Sequence, residues 1–496
     1  MVYMSSYRGQ NWLISQSIKD MIPQNHICFF VEEFVDSLDF TNFDMISDGA
    51  GHPSYHPRII MKIIIQGMLS KERSSRKLAS ACRENFVFMY LAEKVQPEFS
   101  TICRFRRNNK EFVKEAFKET VNLADENDLI DLSLICTDGS KIKANASKKM
   151  FLTKEQLGKL DSIIDKMIEE DINQDDIDKE ICGNREENLT NLEMKNLKGI
   201  VKTYRENKNK EKIKEKCKKA IEEFDKDSQI KRVSLSDNDC RMMKNKKGFF
   251  ELDYNIQFTV DSKNQIIVAN DVCQDRVDTH QLQPQIKNVR ENIELKENTK
   301  VAADCNYNCG ENLKFLEDNS IEGYIPTISQ EQELDNREKT VIEDDYEYDW
   351  EKDEIIFKNV RLKYFSTWNQ GKKPRMRIYR SEDGKIMKKV IEFFRERLRM
   401  KNKMETTDAK KVYGLRKTIV EPVIGNVKYN LGFDEFRLRG IEKARIELNL
   451  VSLTHNLKKI WIARGKLTIN NKNIIFDLII ENNQLNCDTA CLTPSS

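Results

Sequence analysis

Apolar residues dominate positions 58–69 so completely that a helix there would be buried around most of its circumference. Pro57 stands where a first helical residue tolerates proline, because the amide it lacks would have no intrahelical partner. A second helix is predicted from Ser74-Ser75-Arg76-Lys77-Leu78, with serine as its cap, to about Asn85. Pro97 interrupts the pattern. Ser100-Thr101 then cap a helix carrying Arg104, Arg106 and Arg107, with Phe105 and Phe112 turned to a core. Short helices on tight turns, one of them rich in arginine, suit a helix-turn-helix-like DNA reader. An ordinary helical bundle has the same pattern, and periodicity does not separate the two.

Beyond residue 131 the pattern changes. A short apolar strand, 132–137, ends at Asp138-Gly139-Ser140. Residues 151–230 are rich in Lys, Glu, Asp and Asn, with sparse apolar positions at helical spacing (Leu157, Leu160, Ile164, Met167, Ile168). An acidic first half and a basic second half predict a helical hairpin with charges paired across it. Strands are predicted at 252–260 and 265–272, joined by the turn Asp261-Ser262-Lys263-Asn264. A helix over about 279–292, a strand at 300–303 ending at Asp304, a helix over 310–318 and a strand at 323–325 follow. That is the core order of an RNase H-like α/β sheet, and a strand ending in an acid occurs in it twice. Further on, Tyr346, Tyr348, Trp350, Ile355, Phe357, Tyr364, Phe365 and Trp368, with turn residues between them, predict a small β-rich insertion. A basic amphipathic helix is expected over 388–404, and helical pattern runs with breaks from Asp408 to Trp461.

Composition adds further constraints. At 496 residues the chain exceeds one compact core, and with 39% hydrophobic residues it is polar without being disordered. The net charge of +2 conceals an uneven distribution. Residues 58–119 hold 14 Lys and Arg against 7 Asp and Glu, and residues 372–417 hold 17 against 6. Two basic blocks fit a protein that grips phosphate backbones at two places, although solvated charged helices produce either block alone. The 12 cysteines lack framework spacing: Cys305/Cys309 and Cys487/Cys491 show no second pair at zinc-site distance. The five histidines show no ligand cluster, and His280 and His455 are expected to pack or cap helices. No secretory signal opens the sequence, and apolar runs at 59–65 and 474–480 are too short to cross a bilayer. A cytoplasmic protein with reduced thiols and no membrane contact is expected.

Asp138 and Asp304 carry the candidate chemistry. Carboxylates at strand ends project into the crevice where such sheets bind ligands, and their hard oxygens suit magnesium or manganese. With a third acid they could hold two metal ions roughly 3.5–4 Å apart. A lone strand-end Asp is as readily a turn or cap residue, and spacing alone does not choose.

The surrounding motifs do. Thr137-Asp138-Gly139-Ser140-Lys141-Ile142-Lys143-Ala144-Asn145-Ala146 resembles the first-aspartate motif of bacterial insertion-sequence transposases of the DDE class, within the RNase H-like superfamily. Arg241-Met242-Met243 and Tyr254-Asn255-Ile256-Gln257 resemble the stretch that follows. Val301-Ala302-Ala303-Asp304 with Tyr307, Gly310, Glu311 and Asn312 is similar to the second-aspartate motif. Arg416-Lys417 and Val420-Glu421-Pro422-Val423-Ile424-Gly425, ending at Lys428, resemble the glutamate motif, trailed by Arg437, Arg439-Gly440 and His455-Asn456. Upstream, Tyr55-His56-Pro57 through Ser75-Arg76-Lys77 to Thr101-Ile102-Cys103-Arg104-Phe105-Arg106 resembles the helical N-terminal region of the same enzymes.

The resemblance implies that Asp138, Asp304 and Glu421 are catalytic and bind two Mg2+ (or Mn2+) ions. It implies DNA contacts for Arg76, Lys77, Arg104, Arg106 and Arg107, and for Tyr413, Arg416 and Lys428, which resemble a Tyr-Arg-Glu-Lys signature. Arg416 lies five residues before Glu421, one more than in some related groups, so Lys417 is its alternative. Pro422 disfavours helical geometry at Glu421, so a helix kinked there, or starting with Pro422 in its first turn, is expected. Glu447 is the alternative third acid, or a structural helix residue. Related sequences often carry paired cysteines between the second and third acids. None lies between Cys309 and Cys487 here, so no zinc is expected in the insertion. Its aromatics either form a β core or contact the element's end or a flipped base.

The implied partners are double-stranded DNA, as terminal inverted repeats and target, and a second copy of the chain, because two ends must be held together. The implied organisation is a helical DNA-binding domain (1–125), the first strand and Asp of the core (126–150), a charged helical insert (151–230), the core continued (231–326), an insertion that is β-rich and then a basic helix (327–404), the C-terminal core helices with the Glu motif (405–462) and a tail (463–496). An RNase H-like nuclease without strand transfer and a catalytically inactive DNA-binding derivative are the competing readings. The basic N-terminal region argues against the first, the presence of all three acids against the second.

Overall fold

The computed structural model describes residues 17–46, 55–169, 199–201, 210–226, 230–245, 248–338, 346–369 and 375–470. Seven helices open it: α1 (Ile27–Ser37), α2 (Thr41–Ile46), α3 (Pro57–Leu69), α4 (Ser75–Glu84), α5 (Phe86–Leu91), α6 (Phe99–Asn108) and α7 (Lys110–Glu126). The apolar run predicted as a buried helix is α3, whose residues from Ile59 to Met68 are all buried. Its one lysine, Lys62, escapes the cost of an unpaired buried charge by reaching Asp36 at 2.8 Å.

A six-stranded mixed sheet follows: β1 (Leu134–Lys143), β2 (Arg241–Lys244), β3 (Phe250–Asp261), β4 (Ile267–Cys273), β5 (Lys300–Ala303) and β6 (Glu322–Tyr324). β2 and β4 share one edge of β3, and β1, β5 and β6 lie in that order beyond its other edge. β1 is antiparallel to β3, while β1, β5 and β6 are mutually parallel. β1 is longer than the hydrophobic pattern predicts. Asp138 therefore does not end a strand but lies within one, opposite Phe258. Strand β3 keeps pairing as far as Lys143 opposite Asp253, so backbone hydrogen bonds carry a polar stretch that hydrophobicity alone would end. The parallel partner β5 does stop there, at Ala303 opposite Thr137.

The charged region contains α8 (Lys154–Glu169) and α9 (Lys210–Lys226), packed together through Leu157, Leu160 and Ile164 against Ile213 and Cys217. Ion pairs Lys154–Asp225 and Lys214–Asp165 cross between them. Most of the insert between the two helices, and the tail beyond residue 470, lie outside the described residues. After α10 (Leu282–Asn292), α11 (Gly310–Asp318) and α12 (Ile328–Leu334) comes the β-rich insertion, an antiparallel five-stranded meander. Its strands are β7 (Glu347–Asp349), β8 (Glu354–Phe357), β9 (Val360–Trp368), β10 (Met376–Arg380) and β11 (Met387–Ile391). Tyr348, Ile355, Leu362, Tyr379 and Val390 pack on Phe394 of α13 (Phe394–Glu405), whereas Phe365 and Trp368 face outward. The helix expected over 388–404 is thus divided into a strand and a helix. Phe393, in the left-handed region at φ 66°, makes the break.

Helices α14 (Thr407–Gly425) and α15 (Ile441–Asn470) complete the fold. One continuous hydrophobic core runs from Phe30 to Ile460, so the N-terminal helices and the sheet share an interior. No helix among the described residues is long and apolar enough to cross a membrane, and the nine described cysteines are free thiols.

Two residues of α15 secure the β3–β4 hairpin. Asn456, fully buried, accepts from the Ile267 amide and donates to the Ile267 carbonyl, both at 2.9 Å, acting as a one-residue strand partner. His455 Nε2 lies 2.9 Å from the Gln265 carbonyl, and Nδ1 lies 2.9 Å from Asn426 Nδ2. A carbonyl only accepts, so Nε2 carries the proton and Nδ1 accepts from Asn426. Burial pushes the His455 pKa down to about 4.

Two outcomes follow from these contacts. Asn456→Leu should cost about 1–3 kcal/mol for each buried backbone group it orphans, measured as a drop in chemical-denaturation midpoint. For His455 the unfolded chain binds the extra proton between pH 6.5 and about 4, so stability is lost as pH falls through that window. The melting temperature of His455→Gln should fall less steeply over the same range.

Candidate active site

Register brings the first two acids together. Thr137 pairs with Ala303 at the last rung of the parallel β1–β5 ladder, so Asp138 and Asp304 are the next residues on adjacent strands. Asp304 leaves β5 as the cap of a short 3-10 turn, accepting from the Asn306 amide at 2.9 Å. Burial, followed by the neighbouring charge of Asp138, pushes its pKa up to about 7.

Helix α14 brings the third acid and a cation. Arg416, buried, places Nη1 3.1 Å from Asp138 Oδ2 and Nη2 3.4 Å from Glu421 Oε1. Burial alone would lower the guanidinium pKa, but Asp138, Tyr413, Asp304 and Glu421 around it hold the pKa well above its ordinary value. Three carboxylates from distant parts of the chain thus act on one positive charge.

Glu421 is helical, and of the two expectations the structure excludes a helix starting with Pro422 in its first turn. Pro422 lies inside α14 and cannot donate to the Thr418 carbonyl, four residues back. Gln265 Nε2 donates to that carbonyl instead, at 2.8 Å. The helix then loosens into a π-helical turn, Asn426–Asn430, which carries Lys428 to the Ser140 hydroxyl (2.7 Å) and the Lys141 carbonyl (3.0 Å) of β1.

Around the acids lies a second polar ring. Asp278 accepts from Asn255 at 2.6 Å and Gln257 at 2.7 Å, and lies 3.5 Å from Lys141 Nζ. Glu331 of α12 accepts from the Tyr413 hydroxyl and the Cys305 thiol. Neither acid is singled out by the sequence. Asp278 sits in a non-periodic loop, and the capping box Thr327/Gln330 that begins α12 was the available signal for Glu331.

Residues 16–108 match the family described as Transposase domain (DUF772), and residues 374–461 match Transposase DDE domain. These matches support an insertion-sequence DDE transposase. The first covers α1 to α6; the second covers Arg416 and Glu421, with Asp138 and Asp304 upstream of it. No curated protein matches the chain. A DDE transposase is an endonuclease-type enzyme that binds DNA and normally uses a divalent metal.

The structure separates the expected transposase DNA contacts. Arg76, Lys77, Arg104 and Arg107 are exposed, Arg76 lying 4.9 Å from the Phe99 ring centroid and Lys77 pairing with Glu72. Arg106 is turned inward and donates to the Arg73 carbonyl at 2.7 Å. Arg73 in turn bonds the Gly432 and Glu435 carbonyls and approaches Glu447. Arg106 and Glu447 therefore belong to a buried knot tying α4 and α6 to the start of α15. Glu447 spends one oxygen on the Arg437 amide and is not a third site acid. Tyr413 is buried against Glu331. Of the alternatives at the glutamate motif, Arg416 faces the acids, while Lys417 pairs with Asp335. His280, expected to pack or cap a helix, is exposed and stands near Cys309 and Glu311, one ligand atom of each lying within 4.8 Å of the others.

Gly139, next to Asp138, has no room for a side chain. A Cβ there would collide with the amide of Gln257 and the carboxylate of Asp278. Gly139→Ala should cost about 1–3 kcal/mol of stability and, by displacing Asp278, lower cleavage activity as well. Wild-type stability and cleavage in this variant would show that the ring tolerates displacement.

Proposed function

We propose that this transposase cuts the ends of its element and joins the freed 3′-OH to target DNA, with Asp138, Asp304 and Glu421 holding two Mg2+ or Mn2+ ions. The Arg416 guanidinium, in contact with Asp138 and Glu421 and within the field of Asp304, carries the reading. That guanidinium stands where a cation is stabilised, and the donor set is all hard oxygen, as these ions prefer. When bound, such ions supply Lewis acidity and an activated water or 3′-hydroxyl, without a covalent protein–DNA intermediate. The chain's own residues position the acids. The β1–β5 register sets Asp138 beside Asp304, α14 delivers Glu421, and Lys428 fixes β1 just past Asp138.

The sheet order, with strands β4, β3, β1, β5 and β6 across it, supports an RNase H-like core spanning 126–150, 231–326 and 405–462. We assign DNA end recognition to the helical region 1–125, and regard 151–230 and 327–404 as insertions in that core. Beside Asp304 a cleft of about 480 Å³ is lined by Cys305, Asn308, Lys389, Arg397 and Lys401 among others, with no acidic side chain among the described residues. Three cations converging on a groove next to the acids suit a phosphate backbone. A homodimer on DNA follows from the need to hold two ends.

Asp138→Asn, Asp304→Asn and Glu421→Gln test this reading on a duplex carrying the element's own ends. Each should lose Mg2+- or Mn2+-dependent cleavage while retaining the gel shift. Undiminished cleavage in any of them would remove that residue from the site. Supplying a pre-cut 3′-OH end with plasmid target separates the transposase from a simple nuclease, which would yield no joined product.

A further inference from the structure

Three potential ligands of mixed chemistry meet outside the acidic centre. His280 lies in the loop between Asp278 and α10, Cys309 caps the N-terminus of α11, and Glu311 occupies its first turn. One ligand atom from each lies within 4.8 Å of both others, and His280 Nδ1 is 3.5 Å from Glu311 Oε2. Ligands of a tetrahedral zinc, with bonds near 2.0–2.3 Å, stand roughly 3.3–3.8 Å apart. His280 and Glu311 are largely exposed, so modest side-chain rotation closes the remaining gap.

The backbone that carries these groups is already pinned. Asn312, buried, donates to the Thr279 carbonyl at 2.6 Å and the Tyr307 carbonyl at 2.9 Å. Gln283 donates to the Glu311 carbonyl at 3.3 Å. Little ordering is left for a metal to impose. Burial first, and the charge of Glu311 as well, push the Cys309 thiol pKa up, and the thiol points at the Thr279 carbonyl 3.5 Å away, so a cation has to displace its proton.

We propose that His280, Cys309 and Glu311 form a site for a borderline-soft divalent cation of the zinc type, distinct from the all-oxygen centre at Asp138, Asp304 and Glu421. Binding exchanges the Cys309 thiol proton, released to solvent, for a sulfur–metal bond. Neutral His280 and the Glu311 carboxylate supply the next two ligands, water completes the tetrahedron, and nothing is oxidised or reduced. Cys309 lies five residues after Asp304 and His280 two after Asp278, so the cation would staple together the two loops flanking the acids. Sulfur and imidazole discriminate against magnesium, which keeps the two sites chemically separate.

Cobalt(II), a spectroscopic substitute for zinc, tests the site in the full-length chain after chelator treatment and under a phosphine reductant. Wild type should bind one equivalent with a thiolate-to-cobalt charge-transfer band and show a raised melting temperature. Cys309→Ser should abolish the band, and His280→Ala should weaken binding at least about tenfold. Asp304→Asn and Cys305→Ser should keep the band, which separates this site from the acidic centre. A wild type without the band overturns the proposal, as does a band that survives Cys309→Ser or an affinity unchanged in His280→Ala. His280 is mostly exposed, so its replacement leaves the fold intact and that arm stays decisive.

Discussion

The acidic centre depends on the register of two short parallel strands. Thr137 opposite Ala303 leaves Asp138 and Asp304 side by side where the β5 ladder stops. A one-residue slip would send alternate side chains to opposite faces and remove both acids from the same crevice. The register is held from both sides. Thr137 and Thr259 hydroxyls meet at 3.0 Å within the sheet, and Val301, Ala302 and Ala303 are buried. Small, apolar residues before the second acid are thus part of how the acid is aimed.

Once the acids are adjacent, electrostatics sets the cost of keeping them so. Burial first, and repulsion from the Asp138 carboxylate after it, raise the Asp304 pKa. Arg416 offsets that repulsion from within the fold. Its guanidinium touches Asp138 and Glu421, and Tyr413, three residues earlier on the same helix, engages Glu331 behind Asp304. Removing the arginine would leave the acids uncompensated in a partly buried cleft, a larger penalty than losing an exposed salt bridge. A metal held among these acids would take over the charge-balancing role that the arginine already performs, and α14 carries both that arginine and Glu421.

Strong local periodicity was legible in the sequence, and contacts between distant segments were not. Helices α3 and α11, strands β3 to β6 and the β-rich insertion all follow from apolar spacing and turn residues. The apolar pattern stops at Asp138 because Gly139-Ser140-Lys141 follow it, yet β3 pairs with β1 beyond them to Lys143. Arg106 looked like a phosphate contact because it sits in a basic run. It is buried against the Arg73 carbonyl, and Arg73 in turn is held by carbonyls of the loop before α15 and by Glu447 of that helix, hundreds of residues away. The same knot removes Glu447 from the chemistry. Asp278 and Glu331 are hidden for a related reason: one lies in a loop without period and the other on a helix of seven residues, marked in the sequence only by its capping box.

Pro422 shows how chemistry and scaffold are joined. Local rules place a helix boundary beside it, because proline removes one intrahelical hydrogen bond. The orphaned Thr418 carbonyl is met by Gln265, in the β3–β4 turn, and the same residue's carbonyl receives His455 while Ile267 receives Asn456. The hairpin turn is therefore the common anchor of both C-terminal helices. Residues that resemble one motif accordingly divide into two tasks. Arg416 and Glu421 face the acids, whereas His455 and Asn456 face away from them and hold the hairpin that makes a proline next to Glu421 tolerable.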